Sequence, residues 1–180
     1  MGNIQIIEES IPRNDQIFIS FGKVNYEDSF CLSLETKNRF DVDFIILKII
    51  KSLPKWFMFL LNLRNVIASI FGLKTGKFED IYDNLDNLDF KQDQSIGEIF
   101  IILKENHHLI IELKDKHLDF RFSILIREEE GITKVHLRTI VKLNNILGKI
   151  YFFLITPFHR LIIPNMQKKD LVVKFNSFVK

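Results

Sequence analysis

The stretch Leu118–Leu143, LDFRFSILIREEEGITKVHLRTIVKL, decides the fold. Leu118, Phe120, Phe122, Ile124 and Ile126 alternate with Asp119, Arg121, Ser123 and Arg127. Val135, Leu137, Thr139, Val141 and Leu143 alternate with Lys134, His136, Arg138 and Lys142. A period of two over this length is the mark of a strand with one buried face. Glu129-Glu130-Gly131-Ile132 lies between the runs and supplies the glycine of a hairpin turn. A slip of one residue would set apolar against polar throughout, so the register is nearly forced. It pairs Ile126 with Val135, Ile124 with Leu137, Phe122 with Thr139 and Phe120 with Val141, and sets Asp119 opposite Lys142 as a charge pair.

The meander extends towards the N-terminus. A turn at Lys114–His117 pairs Leu113 with Leu118, Ile111 with Phe120 and Leu109 with Phe122. A turn at Glu105–Asn106 pairs Phe100 with Ile111 and Ile102 with Leu109. The four strands share one apolar face whose only polar member is Thr139. The other face is expected to carry a row formed by Ile101, Ile110 and Ile140, with Arg121 among them and Leu125 nearby.

An exposed apolar face needs a cover. The segment after Asn144 and Asn145, either of which can cap a helix, carries Ile146, Leu147, Ile150, Phe153, Leu154, Phe158, Leu161 and Ile162. It is the expected cover, with a kink or split at Pro157. Earlier in the chain, Gln16–Phe21 and Ser29–Leu34 read as short alternating runs. Asp41 or Asp43 can cap a helix bearing Ile45, Ile46, Ile49 and Ile50. Ser52 and Pro54 open a second helix with Trp56, Phe59, Leu60, Leu63, Ile67 and Ile70, which Gly72 ends. Thr75–Gln94 reads as a loop or a short helix with a loop. The expectation is an α+β fold in one domain over residues 1–180: an antiparallel sheet gripping a long C-terminal helix, with two helices inserted after the first strand.

Composition bounds the chemistry. The 180 residues are 47% hydrophobic and 27% charged, with a net charge of +2 and a single cysteine. That mix excludes disorder, and with one cysteine neither an intrachain disulfide nor a cysteine-based zinc site is expected. The N-terminus has neither the basic start nor the apolar run of a signal peptide. Trp56–Phe71 and Ile146–Pro164 are interrupted by polar residues and fall short of a membrane span. A reducing, cytoplasmic setting is the expectation. His107 and His108 are neighbours on a strand and point to opposite faces, and His117 sits in a turn, so no metal site is expected. Cys31 reads as a small inert strand residue, Gly72–Lys77 lacks phosphate-loop spacing, and no catalytic motif or cofactor site is found. Basic residues gather on no single face, which argues against nucleic acid.

Several strings resemble the DUF2867 family. Tyr26-Glu27-Asp28-Ser29-Phe30 is similar to its opening motif. Pro54-x-Trp56, Leu60-Leu61-x-Leu63-Arg64-Asn65 and Phe71-Gly72-Leu73-Lys74 resemble its central helix. Leu147–Phe152 and Pro157–Ile162 resemble its C-terminal helix. The resemblance spans roughly residues 24–170. It implies a START-like (SRPBCC) helix-grip fold, whose members mostly hold hydrophobic ligands between sheet and helix; some are enzymes. Domains of this family also follow a nucleotide-binding reductase domain, but no G-x-G-x-x-G occurs here. The expected activity is binding of a hydrophobic small molecule or lipid by Trp56, Phe120, Phe122, Leu137, Thr139, Phe153 and His159. In that site Thr139 is the polar lining group and His159 a polar anchor, against a structural reading of His159 and Arg160 at the proline. The alternatives are an interaction module with a filled core, forming a homo-oligomer through the outer sheet face, and an enzyme using His159 or Tyr151.

Overall fold

The computed structural model describes residues 4–36, 39–51, 53, 62, 69, 91–96 and 99–162, giving the backbone alone for 4 and 158–162. The described residues form a seven-stranded antiparallel sheet: β1 Ile4–Glu8, β2 Tyr26–Glu35, β3 Ser95–Ile96, β4 Ile99–Lys104, β5 His108–Lys114, β6 Leu118–Glu129 and β7 Ile132–Leu143. The spatial order is β1-β2-β7-β6-β5-β4-β3. Among the described residues two helices have defined bounds, α1 Val42–Lys51 and α2 Ile146–Ile162.

The β6–β7 hairpin has the register that alternation dictates. Ile126 faces Val135, Phe122 faces Thr139 and Asp119 faces Lys142. Glu130 and Gly131 form the two-residue turn with φ of 46° and 84°. Two positive φ values in succession match the right-handed twist of the strands, which is why glycine stands at one of them.

The neighbouring registers differ from the sequence reading. On β5–β6, Leu113 faces Phe120 and Ile111 faces Phe122, a shift of two residues. The turn is only Lys116 and His117, because the Asp115 N–H already donates to the Leu118 carbonyl. A two-residue shift leaves every side chain on its expected face. On β4–β5 the ladder shifts between Ile101 and Leu103. The extra residue there inverts the faces N-terminal to it. Ile101 is therefore buried in the core and Phe100 is exposed, the reverse of expectation.

The apolar face is closed over part of its area by α1. Asp41 Oδ1 accepts from the Phe44 N–H at 2.7 Å and caps the helix. The Val42 N–H donates to the Asn106 carbonyl, and Lys104 Nζ lies 2.8 Å from Asp43 Oδ2, so the helix start is tied to the β4–β5 hairpin. Val42, Ile45, Ile46 and Ile49 then pack with Phe30, Leu32, Leu34, Leu109, Ile124, Ile126, Val135 and Leu137 in one buried cluster. None of the described residues of that cluster comes from α2. Among the described residues the roof of the buried core is thus α1, where the sequence reading placed the last helix.

Helix α2 starts against the β5–β6 turn. Asn145 Oδ1 caps it by accepting from the Gly148 N–H at 3.0 Å, and Asn145 Nδ2 donates to the Lys116 carbonyl. Tyr151 is buried, and Phe152 meets Tyr26 edge to face at 5.0 Å. The helix continues unbroken through Pro157. No helix among the described residues is long and apolar enough to cross a membrane.

The N-terminal segment brings two departures. Ile4–Glu8 adds a strand at the sheet edge that alternation did not announce, so the helical region follows the second strand rather than the first. Gln16–Phe18 is a 3-10 turn, not an extended run, started by Asp15 accepting from the Ile17 N–H. The segment lies over the opposite sheet face, where Ile11, Ile17 and Phe21 bury Ile140. Ile101, Ile110 and Ile140 are all buried, so they do not form the exposed outer row proposed for self-association. The second inserted helix and most of the polar stretch 75–94 lie outside the described residues.

Candidate functional site

Two regions are candidates for a functional site, one on each sheet face. On the apolar face, Leu113, Leu118, Phe120, Phe122 and Leu143 are only half-buried. Phe122 packs against the edge of the cluster that α1 seals, and the others lie beyond it, towards the end of the sheet where α2 begins. Leu137 and Thr139 are buried in the same face, and Thr139 faces Phe122 across the β6–β7 ladder. These four members of the sequence-derived site therefore share one sheet face. Phe153 does not join them: its side chain is 78% exposed. Gly148 and Tyr151, three residues apart, form the docking side of α2, and Phe153 lies about 200° round the helix from Tyr151 at roughly 100° per residue. Trp56 and the His159 side chain lie outside the described residues.

The opposite face carries a buried polar lattice that alternation presents only as a solvated side. Arg121 donates from Nε and Nη2 to Glu112 Oε1, at 3.1 and 2.6 Å, and from Nη1 to the carbonyls of Ile17 and Ile19, at 2.8 and 2.7 Å. Its guanidinium lies 4.9 Å above the Phe21 ring. Arg138 pairs with Asp15 through Nη1. Both arginines thus hold the N-terminal segment against the strands. His136 Nδ1 donates to Glu9 Oε1 at 2.6 Å, and Ser29 Oγ donates to the same oxygen at 3.1 Å.

Cys31 faces His136 directly across β2–β7, and the Glu9 N–H donates to the Ser29 carbonyl, so three adjacent strands present Glu9, Cys31 and His136 side by side. One donor atom from each lies within 4.8 Å of the other two. Sequence spacing could not reveal this group, because its members lie at 9, 31 and 136. The usable signal was cross-strand: the β2–β7 pairing that sets a cysteine opposite a histidine. Burial pushes the Cys31 thiol pKa up, with the Glu9 and Glu129 charges adding to it and the Ser33 hydroxyl and Lys134 opposing.

His108 is buried beside Ser123, with Nε2 3.0 Å from the hydroxyl. Burial lowers its pKa; Asp15 and Glu105 oppose the shift and Arg138 adds to it. Above the ordinary histidine value of about 6.5 both folded and unfolded forms are neutral. As pH falls below that value, the unfolded chain takes up a proton that the folded chain resists, so stability declines. The expected result is a lower urea midpoint at pH 5.5 than at pH 7.5, with a smaller difference in His108→Asn. Equal pH dependence in the two proteins would remove His108 as the cause.

The family model described as a protein of unknown function (DUF2867) matches residues 20–166. No match was found among curated proteins or among solved structures.

Proposed function

The chain belongs to the DUF2867 family, whose function is unknown, and we propose that it binds a hydrophobic small molecule or lipid on the apolar sheet face where α2 begins. The observation that carries this reading is the uneven closure of that face. Under α1 the side chains are buried in a continuous cluster, whereas Phe120, Phe122, Leu113, Leu118 and Leu143 remain half-buried. A ligand site of this kind pairs a broad apolar wall with few polar groups, and Thr139 is the polar group placed there. The succession of sheet, terminal strand and C-terminal helix is compatible with a helix-grip, START-like architecture, which belongs to the same proposal. So do a cytoplasmic setting and polar anchoring by His159. The competing reading, an interaction module, loses the surface assigned to it, since Ile101, Ile110 and Ile140 are buried.

Titration with a fluorescent fatty acid tests the proposal. The full chain should bind one probe saturably. Phe120→Ser removes an aromatic wall worth about 1.5–3 kcal/mol of transfer free energy, so the dissociation constant should rise about 10- to 100-fold. Native mass spectrometry of protein purified from cells should show added lipid-like mass. Non-saturable binding, or equal affinity in Phe120→Ser, would overturn the reading.

A further inference from the structure

We propose that Glu9, Cys31 and His136 form a site for a divalent transition-metal ion of the zinc class, on the sheet face opposite the apolar one. Cys31 and His136 sit on the hydrogen-bonded neighbours β2 and β7, and Glu9 lies just past the end of β1, where its N–H donates to the Ser29 carbonyl of β2. Their donor atoms lie within 4.8 Å of one another. Tetrahedral zinc with bonds of about 2.0–2.3 Å sets its donors roughly 3.3–3.8 Å apart, so closing round an ion takes about an ångström of side-chain adjustment.

The His136 side chain is only 9% exposed, yet its Nε2 is buried with no hydrogen-bond partner among the described residues. An ion held together with Glu9 binds the ring through Nδ1, the nitrogen that faces the carboxylate, and the hydrogen bond that this displaces is replaced by ligation of the same carboxylate.

The surroundings suit a cation despite a nearby arginine. Arg138 Nη2 lies 4.0 Å from Glu9 Oε1, but Arg138 is already paired with Asp15. With Cys31 as thiolate, Glu9, Cys31 and the neighbouring Asp15 carry three negative charges against the one positive charge of Arg138, so a divalent ion neutralises the group. Loading releases the Cys31 thiol proton to solvent, and the imidazole proton of His136 moves from Nδ1 to Nε2 as Nδ1 becomes the ligand. Ser29 Oγ donates to Glu9 and orients it, as groups behind metal ligands commonly do. A thiolate and an imidazole favour zinc over the hard cations magnesium and calcium. Three protein ligands leave a fourth position for water or a bound group, the pattern of an open zinc site. Glu9 is the most exposed of the three, with a quarter of its side chain accessible, and supplies the entry path.

The test is a titration of chelator-treated full-length protein with Co²⁺ alone. One equivalent should bind with a thiolate-to-cobalt charge-transfer band in the near ultraviolet and tetrahedral bands in the visible. Added Zn²⁺ should abolish both. Cys31 is the only cysteine, so the thiolate band assigns the site without any variant. Cys31→Ser should lose that band and bind at least about 100-fold more weakly, with His136→Gln close behind and Glu9→Gln weakened about 10-fold. Absence of the thiolate band in the unmodified protein overturns the proposal, as does cobalt uptake of unchanged affinity in Cys31→Ser; the cluster is then a hydrogen-bonded group only.

Discussion

Replacing Arg121 by methionine should lower the unfolding free energy by about 3–5 kcal/mol, read as a fall in the urea midpoint. The methionine keeps most of the stem and removes every donor. Glu112 then stays buried as a carboxylate, with only the exposed Lys114 ammonium 2.9 Å from its other oxygen. Removing one partner of a buried pair is costly for this reason: the charge that remains has been taken out of water without compensation. Two carbonyls, those of Ile17 and Ile19, lose their donors as well, and the Phe21 ring loses its cation. The double change Arg121→Met with Glu112→Leu separates these effects. Exchange of a buried pair for apolar residues is often neutral, so the double variant should recover the larger part of the loss. The unpaired carbonyls keep it below the unmodified protein by about 1–3 kcal/mol. Amide exchange across residues 11–21 should stay faster in both variants, because the clamp on the N-terminal segment is gone in both. A single variant less than about 1 kcal/mol below the unmodified protein would show that Arg121 does not hold this segment. Arg121→Lys is not expected to rescue, since one ammonium cannot reproduce a planar fork serving a carboxylate and two carbonyls at once.

How far such features are legible in a sequence depends on what sets them. The β6–β7 register follows from alternation because Glu130-Gly131 is a two-residue turn with a glycine where φ is positive. On β5–β6 no glycine marks the turn, and Lys116-His117 looks no different from its polar neighbours. The register was therefore misread by two residues, but an even error leaves the faces unchanged. One residue at the β4 irregularity does the opposite damage, moving Ile101 into the core and Phe100 out. Bulges leave no periodic trace, so alternation cannot locate them. The polar lattice was hidden for another reason. Arg121, His136 and Arg138 alternate with core residues just as solvated side chains do. Their burial depends on residues 9–21, which fold back over them from far away in the chain. The hint was that Ile11, Ile17, Phe18 and Phe21 are too apolar for a free terminus. On the apolar face, alternation places Phe120, Phe122, Leu137 and Thr139 together, as the structure does. It could not say which side of α2 docks, and so it misplaced Phe153.

The docking of α2 rests on one glycine, and Gly148→Ala is the change that tests it. A Cβ built at Gly148 would sit 2.0 Å from the carbonyl oxygen of His117 and 2.9 Å from its carbon. Both atoms are backbone, so no rotamer change relieves the clash. The His117 carbonyl is also held in place, since it accepts from the Asn144 N–H at 2.9 Å. Asn144 Nδ2 donates to the Asp115 carbonyl and Asp119 Oδ1, which fixes the same turn from the helix side. Either the turn or the helix must move. Alanine is the better helix former by about 1 kcal/mol, so any loss measured is the clash net of that gain. Forcing a methyl into a packed interior costs about 1–3 kcal/mol when side chains can yield; here backbone must yield, and a loss of about 3 kcal/mol is expected. Amide exchange at 116–118 and 144–150 should accelerate while α1 keeps its protection, because the core under α1 does not include α2. The same variant bears on the ligand proposal. If α2 forms one wall of the site, probe binding should weaken together with helix docking, even with α1 and the sheet intact. Full probe affinity in a variant whose α2 has come away would place the ligand on the sheet alone, and a variant as stable as the unmodified protein would mean that the helix does not seat on the His117 carbonyl.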